Sequence, residues 1–105
     1  MNFRSIEQIV ETSEIAGKDV KRIKLFISAL AEREAQILAE NTVKDLAEFH
    51  SESIALIAQW FERALKVAKR PWAYIFRDPF KGLRDATRKF AQRWQLNTEF
   101  IEAMG

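Results

Sequence analysis

Cysteine is absent from the 105-residue chain. With it go disulfides, thiolate nucleophiles and every cysteine-based zinc or iron–sulfur site. Histidine occurs once, at position 50, which leaves little to hold a metal, so no metal and no cofactor is expected. Glycine and proline together number only five, against about twelve per hundred in ordinary usage. Between Gly17 and Pro71 lie 53 residues without a strong breaker, so long helices are expected. No apolar run approaches the roughly 18 residues of a membrane span. The opening, Met1 to Glu7, carries an acidic residue and no apolar segment of the secretory kind, so a cytoplasmic location is expected.

What is present suits one folded domain over residues 1–105. Hydrophobic residues make up 48% and charged residues 30%, well away from disordered composition. The net charge is +2, but it is unevenly spread. Residues 1–62 hold 7 Lys/Arg against 11 Asp/Glu, a net of −4; residues 63–93 hold 10 against 2, a net of +8; the remainder carries −2. Clustered charge of one sign sets up a potential that net charge conceals.

Periodicity predicts a first helix over 5–16, with Ser5 and Gln8 as a capping box and Gly17 as its left-handed stop. In a second helix from Asp19, residues Val20, Ile23, Phe26, Ile27, Leu30, Ala31, Ile37 and Leu38 share one arc, with Glu34 at its centre. A third helix is predicted over 43–70 with Thr42 as cap. Its apolar residues, Val43 to Ala68, span roughly 200° of the wheel. The apolar segment 72–76 (Trp-Ala-Tyr-Ile-Phe) reads as a helical turn or packed connector, since a lone strand would have no partner. Asp78-Pro79 then signals a fourth helix, and Asn97 a short fifth, with Leu96 and Ile101 spaced as a staple.

The expected fold is therefore all-α: a bundle of four to five helices built on a long antiparallel helical hairpin. The predicted third helix would be about 42 Å long, whereas a domain of this size has a radius of gyration of about 13 Å. That overhang and the wide arc predict a homodimer, with Leu56, Ile57, Trp60, Ala64 and Val67 as its interface.

Two constellations bear on function. If Asn41-Thr42 turns the hairpin, Glu34 comes level with His50, each at the centre of an apolar stripe, and Ser53 one turn on is placed to complete the hydrogen bonding. The structural role of such a pair is to fix register; the chemical alternative is a small helical enzyme with Glu34 and His50 at its core. A helix interior has no free amides for an oxyanion hole, so a Ser-His-Glu nucleophile is not supported, and no catalytic residue is assigned. A di-iron site would want a glutamate three residues before the histidine, where Ala47 stands.

The second constellation is basic and aromatic. Lys69, Arg70, Arg77, Lys81, Arg84, Arg88, Lys89 and Arg93 alternate with Trp72, Tyr74, Phe76, Phe80 and Phe90. Cations can contact phosphates and aromatic rings can stack bases or sit at a lipid boundary. The preferred reading is a non-enzymatic interaction protein presenting a basic C-terminal helix to an anionic partner, with nucleic acid ahead of an acidic protein and a membrane surface last. A protein–protein adaptor with no nucleic-acid role is the other non-enzymatic reading. Zinc-finger, basic-zipper and helix-turn-helix patterns are all absent.

Overall fold

The scarcity of breakers is reflected directly in the backbone. A computed structural model describes residues 2–40 and 43–104. Every regular element among them is helical. Five α-helices occur among the described residues: α1 (Phe3–Glu11), α2 (Gly17–Ala39), α3 (Leu46–Lys69), α4 (Lys81–Trp94) and α5 (Glu99–Met104). Short 3-10 turns at Val43–Asp45 and Pro71–Tyr74 lead into and out of α3. The predicted turn at Asn41-Thr42, and Thr42 as a cap, lie outside the described residues.

Several ends differ from the sequence expectation for local reasons. Asn2, not Ser5, caps α1: its side-chain oxygen accepts from the Ser5 N–H at 3.1 Å. The helix stops at Glu11 rather than at position 16. The Thr12 hydroxyl donates to the Gln8 and Ile9 carbonyls (3.0 and 3.2 Å) and the Ser13 hydroxyl donates to Val10 (2.6 Å), local bonds that offer the chain an alternative to helix. Gly17 opens α2 instead of closing α1, and no described glycine has a positive φ. The left-handed residue is Gln95 (φ 58°, ψ 44°), which ends α4 and lets the Leu96 N–H reach the Ala91 carbonyl at 2.9 Å. At the start of α4, Asp78 accepts from the Phe80 N–H at 3.0 Å, forming a turn just ahead of the first helical residue, Lys81.

Aromatic packing holds α2, α3, α4 and α5 together. Phe26 meets Phe90 edge-on and stacks on Phe100, both at 5.9 Å between ring centres. Phe49 packs on Phe90 at 6.0 Å and on Trp94 at 5.3 Å. Trp60, only 1% exposed, stacks on Phe80 at 5.3 Å. Its indole N–H donates to the Thr87 hydroxyl at 2.8 Å, and that hydroxyl donates to the Leu83 carbonyl at 2.7 Å. The polar edge of the largest core side chain is thereby satisfied.

At 1.5 Å per residue α3 is about 36 Å long. The molecule measures 47 × 26 × 20 Å, with a radius of gyration of 14.1 Å. A rod of that length fits only along the 47 Å dimension. Arg63 donates to the Pro79 carbonyl and Arg93 reaches Glu48, so α4 runs back along α3, and the turn between them lies beyond the end of α3 at one tip of the molecule.

The wide arc of α3 is divided between neighbours and solvent within one chain. Leu56, Ile57, Trp60 and Ala64 are buried in the chain's own core and Val67 packs half-buried against it. These proposed interface residues are already in use, with α2 and α4 packed on α3. Of the same arc, Ile54 is half exposed and Ala58 and Ala68 are exposed.

Candidate functional site

The two polar residues at the centres of apolar stripes are in contact. His50 Nε2 lies 2.5 Å from Glu34 Oε2, joining α3 to α2. The pair is not sealed in the core: the side chains are 21% and 18% exposed. Aromatic rings frame the imidazole, with Phe3 edge-on at 6.4 Å and Phe49 at 6.1 Å. Ser53 is not the third member that its position on the wheel predicts. It is fully buried, and its hydroxyl has no hydrogen-bond partner. Five grooves on the described surface are lined by other residues and include neither Glu34 nor His50. Among the described residues, no three His, Asp or Glu side chains converge to hold a metal ion.

The eight basic residues divide into two groups. Three of them are taken up internally. Arg84, the most covered, pairs with Asp78. Arg88 lies 3.6 Å from Asp85. Arg93 reaches back across to α3, donating to Glu48 at 2.6 Å and pairing with Glu52, while its guanidinium lies over the Trp94 ring at 5.2 Å. The Trp94 indole N–H also donates to Glu52, at 2.8 Å. Arg84 and Arg88 thus both have an acidic neighbour on the same chain. The other five, Lys69, Arg70, Arg77, Lys81 and Lys89, are exposed and have no ion-pair partner among the described residues. Four of them cluster at the tip, where α3 ends and α4 begins.

The apolar connector departs most from expectation. No residue of the Pro71–Tyr74 turn is buried. Tyr74 is half-buried and lines a groove with Gln59, Arg63 and Leu83. Its neighbours point away: Trp72 is 66% exposed, Ile75 68% and Phe76 98%.

Two other charged clusters were not singled out from the sequence. Arg33 donates from Nε to the Trp94 carbonyl at 2.7 Å, so a cation caps the C-terminal end of α4. Asp19, in the first turn of α2, is 1% exposed; Arg22 donates to one of its oxygens at 3.3 Å and the other has no partner. Burial pushes its carboxyl above the usual carboxylate range, against the lowering pull of Arg22 and Lys18. Asp78 has the opposite shift: the hydrogen bond from Arg84 holds its carboxyl below the usual range, helped by the Phe80 N–H. Arg22, paired with Asp19, also lies over the Phe80 ring at 5.3 Å. The Arg33 contact needs the tertiary arrangement to be seen, whereas Asp19 and Arg22, three apart on one helix, are paired by spacing alone and only the burial of Asp19 is tertiary.

Compared with known proteins, the chain matches no family model, no curated protein and no solved structure.

Proposed function

We propose that this protein is a non-enzymatic helical interaction module that engages an anionic partner through the basic surface where α3 passes into α4. The observation that carries this reading is the division of the cations. Lys69, Arg70, Arg77, Lys81 and Lys89 are exposed without a counter-charge, whereas Arg84, Arg88 and Arg93 are neutralised by acids of the same chain. The contacting surface is therefore the junction, rather than the length of α4 expected from the sequence. Unpaired cations are available to phosphates or carboxylates without first breaking an internal pair.

The antiparallel hairpin of α2 and α3 belongs to the same reading as its scaffold. Contact between Glu34 and His50 supports it, since residues at those positions come level when the two helices run in opposite directions. The pair then acts as a register device between helices. No catalytic role is assigned to it.

Binding to immobilised heparin, a generic polyanion, tests the reading. The protein should be retained at low ionic strength and released by salt, because counterion release makes such binding steeply salt-dependent. Lys69→Gln with Arg70→Gln should elute earlier, and Arg88→Gln should elute with the parent. Passage through the column unretained at low salt would remove the proposal.

A further inference from the structure

We propose that residues 69–81 form a peripheral membrane anchor, in which Trp72, Ile75 and Phe76 enter the headgroup boundary of an anionic bilayer while the surrounding cations meet lipid phosphates and carboxylates. The inference rests on the anionic-partner reading and names the partner. Its starting point is geometric. In a 3-10 turn, residues three apart lie over one another, so Trp72 and Ile75 share a side, and Ile75 keeps helical angles (φ −60°, ψ −39°) just past the turn. Tyr74, half-buried, lies on the groove side of the turn, which it lines with Gln59 and Arg63 of α3 and Leu83 of α4. The three large apolar residues are left on the outer side, at the tip of the molecule, within five consecutive positions. Single exposed apolar residues need no explanation, but a contiguous group that includes a 98%-exposed Phe76 marks a contact surface.

Charge decides what kind of surface. The apolar tip is bracketed by Lys69 and Arg70 before it and by Arg77 and Lys81 after it, all exposed and unpaired among the described residues. The acids close by in sequence are already engaged: Asp78 with Arg84, and Glu62 with Lys66 at 3.3 Å. Two copies of this tip would bring like charges together, which disfavours a second chain as the occupant. A single-stranded nucleic acid would use the aromatic rings as stacking platforms, but Ile75 has no π-face to offer. An anionic bilayer uses every member of the group. Tryptophan suits the headgroup level, phenylalanine and isoleucine suit the first acyl segments, and lysine and arginine stems extend along apolar surface while their charges stay in the headgroups. Among the described residues no helix is long and apolar enough to cross a membrane, so contact at the surface is the mode that fits.

Vesicle co-sedimentation with the intact chain tests this. Vesicles of phosphatidylcholine mixed with phosphatidylserine should bind the protein, and vesicles of phosphatidylcholine alone should bind far less. Ile75→Ser with Phe76→Ser should weaken binding by about tenfold or more, with far-UV circular dichroism and melting unchanged because both side chains are exposed. Arg70→Gln should lose about fivefold, the equivalent of about 1 kcal/mol per cation at an anionic surface. Trp72 supplies a second readout: emission should shift to the blue on anionic vesicles, and Trp72→Phe should abolish the shift while the buried Trp60 and the half-buried Trp94 stay silent. Equal vesicle binding by the Ile75/Phe76 variant would overturn the anchor. So would binding of a DNA oligonucleotide or heparin without binding of anionic vesicles, an outcome that leaves the broader anionic-partner reading standing. A dimer in solution that the same variant dissolves would show a second copy covering the tip, and would also overturn it. Failure to bind heparin and vesicles alike would end both proposals.

Discussion

The two ends of α3 show what a change of neighbours does to similar residues. At its start, Glu48 and Glu52 hold Arg93 from α4, Trp94 donates to Glu52, and His50 meets Glu34 from α2. At its finish, Lys69, Arg70 and Arg77 have no counter-charge among the described residues, and Trp72, Ile75 and Phe76 have no covering helix. Both ends mix basic and aromatic residues. The difference is that α2 and α4 both reach the first end, so its charges become internal links between helices, whereas the finish of α3 extends to the tip of a molecule 47 Å long. A cation contributes to a fold or to a partner according to which acid lies within reach. Composition alone does not separate the two cases.

Tryptophan and phenylalanine on either side of this divide should respond very differently to truncation. Trp60 is packed on Phe80 and hydrogen-bonded to Thr87. Trp60→Ala should therefore cost about 3–5 kcal/mol in urea unfolding, through lost burial, an unfilled cavity and a Thr87 hydroxyl deprived of its indole donor. Phe76→Ala, at the open tip, should change stability by no more than about 0.5 kcal/mol. A comparable loss in both variants would mean that the tip folds back onto the core in solution, and the contrast between the ends would collapse.

At the closed end, the link between Glu34 and His50 is open to a double-mutant cycle. Either single change, Glu34→Met or His50→Leu, removes one partner from a half-covered pair and should cost about 1–2 kcal/mol, less than for a fully buried ion pair because solvent reaches both side chains. Glu34→Met with His50→Leu should cost less than the two single changes together, giving a coupling of about 1 kcal/mol. Additivity within about 0.3 kcal/mol would mean that the two residues do not bear on each other.

Much of this architecture is legible in the chain before any coordinates, because helix periodicity and a shortage of breakers are local properties. Of the stripe on α2, Ile23, Phe26, Ile27, Leu30 and Ile37 are buried where the wheel places them while Ala31 and Leu38 are exposed, and the helix ends near Pro71 and Asp78 are within a few residues. Cap choice is less legible: Asn2 and Ser5 are both cap-forming residues three positions apart, and Asn2 is the one that caps. The left-handed Gln95 carries no glycine to announce it. The helical turn expected within 72–76 is present as the 3-10 turn Pro71–Tyr74, but it is not packed, because an apolar run says that a residue prefers cover, not that another element is close enough to give it. Pairings such as Arg93 with Glu48, 45 positions apart, require the tertiary arrangement itself.

The smallest expected effect is a pair of opposite pH dependences near the open end. Asp78 titrates below the ordinary carboxylate range in the folded chain, mainly through its hydrogen bond with Arg84. A folded-state value below the unfolded one means that the pair stabilises the protein above the ordinary carboxylate range, and that this contribution is lost as the pH falls through the lowered value. Since the Asp78 side chain is 43% exposed, screening keeps the contribution to about 0.5 kcal/mol. Asp78→Asn should therefore be slightly less stable than the parent at neutral pH and indistinguishable from it in strong acid. Asp19 has the reverse sign, because burial raises its carboxyl above the unfolded value. Its ionised form is disfavoured by folding at neutral pH, and that penalty is relieved as the pH falls through the raised value. Asp19→Asn should thus gain on the parent at neutral pH and lose that advantage on acidification. Thermal melting of the parent and both variants across the acid range reads the two signs together. If Asp19→Asn is instead destabilised most at neutral pH, its carboxylate is engaged by Arg22 more strongly than burial penalises it, and the start of α2 belongs with the internally linked end of the molecule.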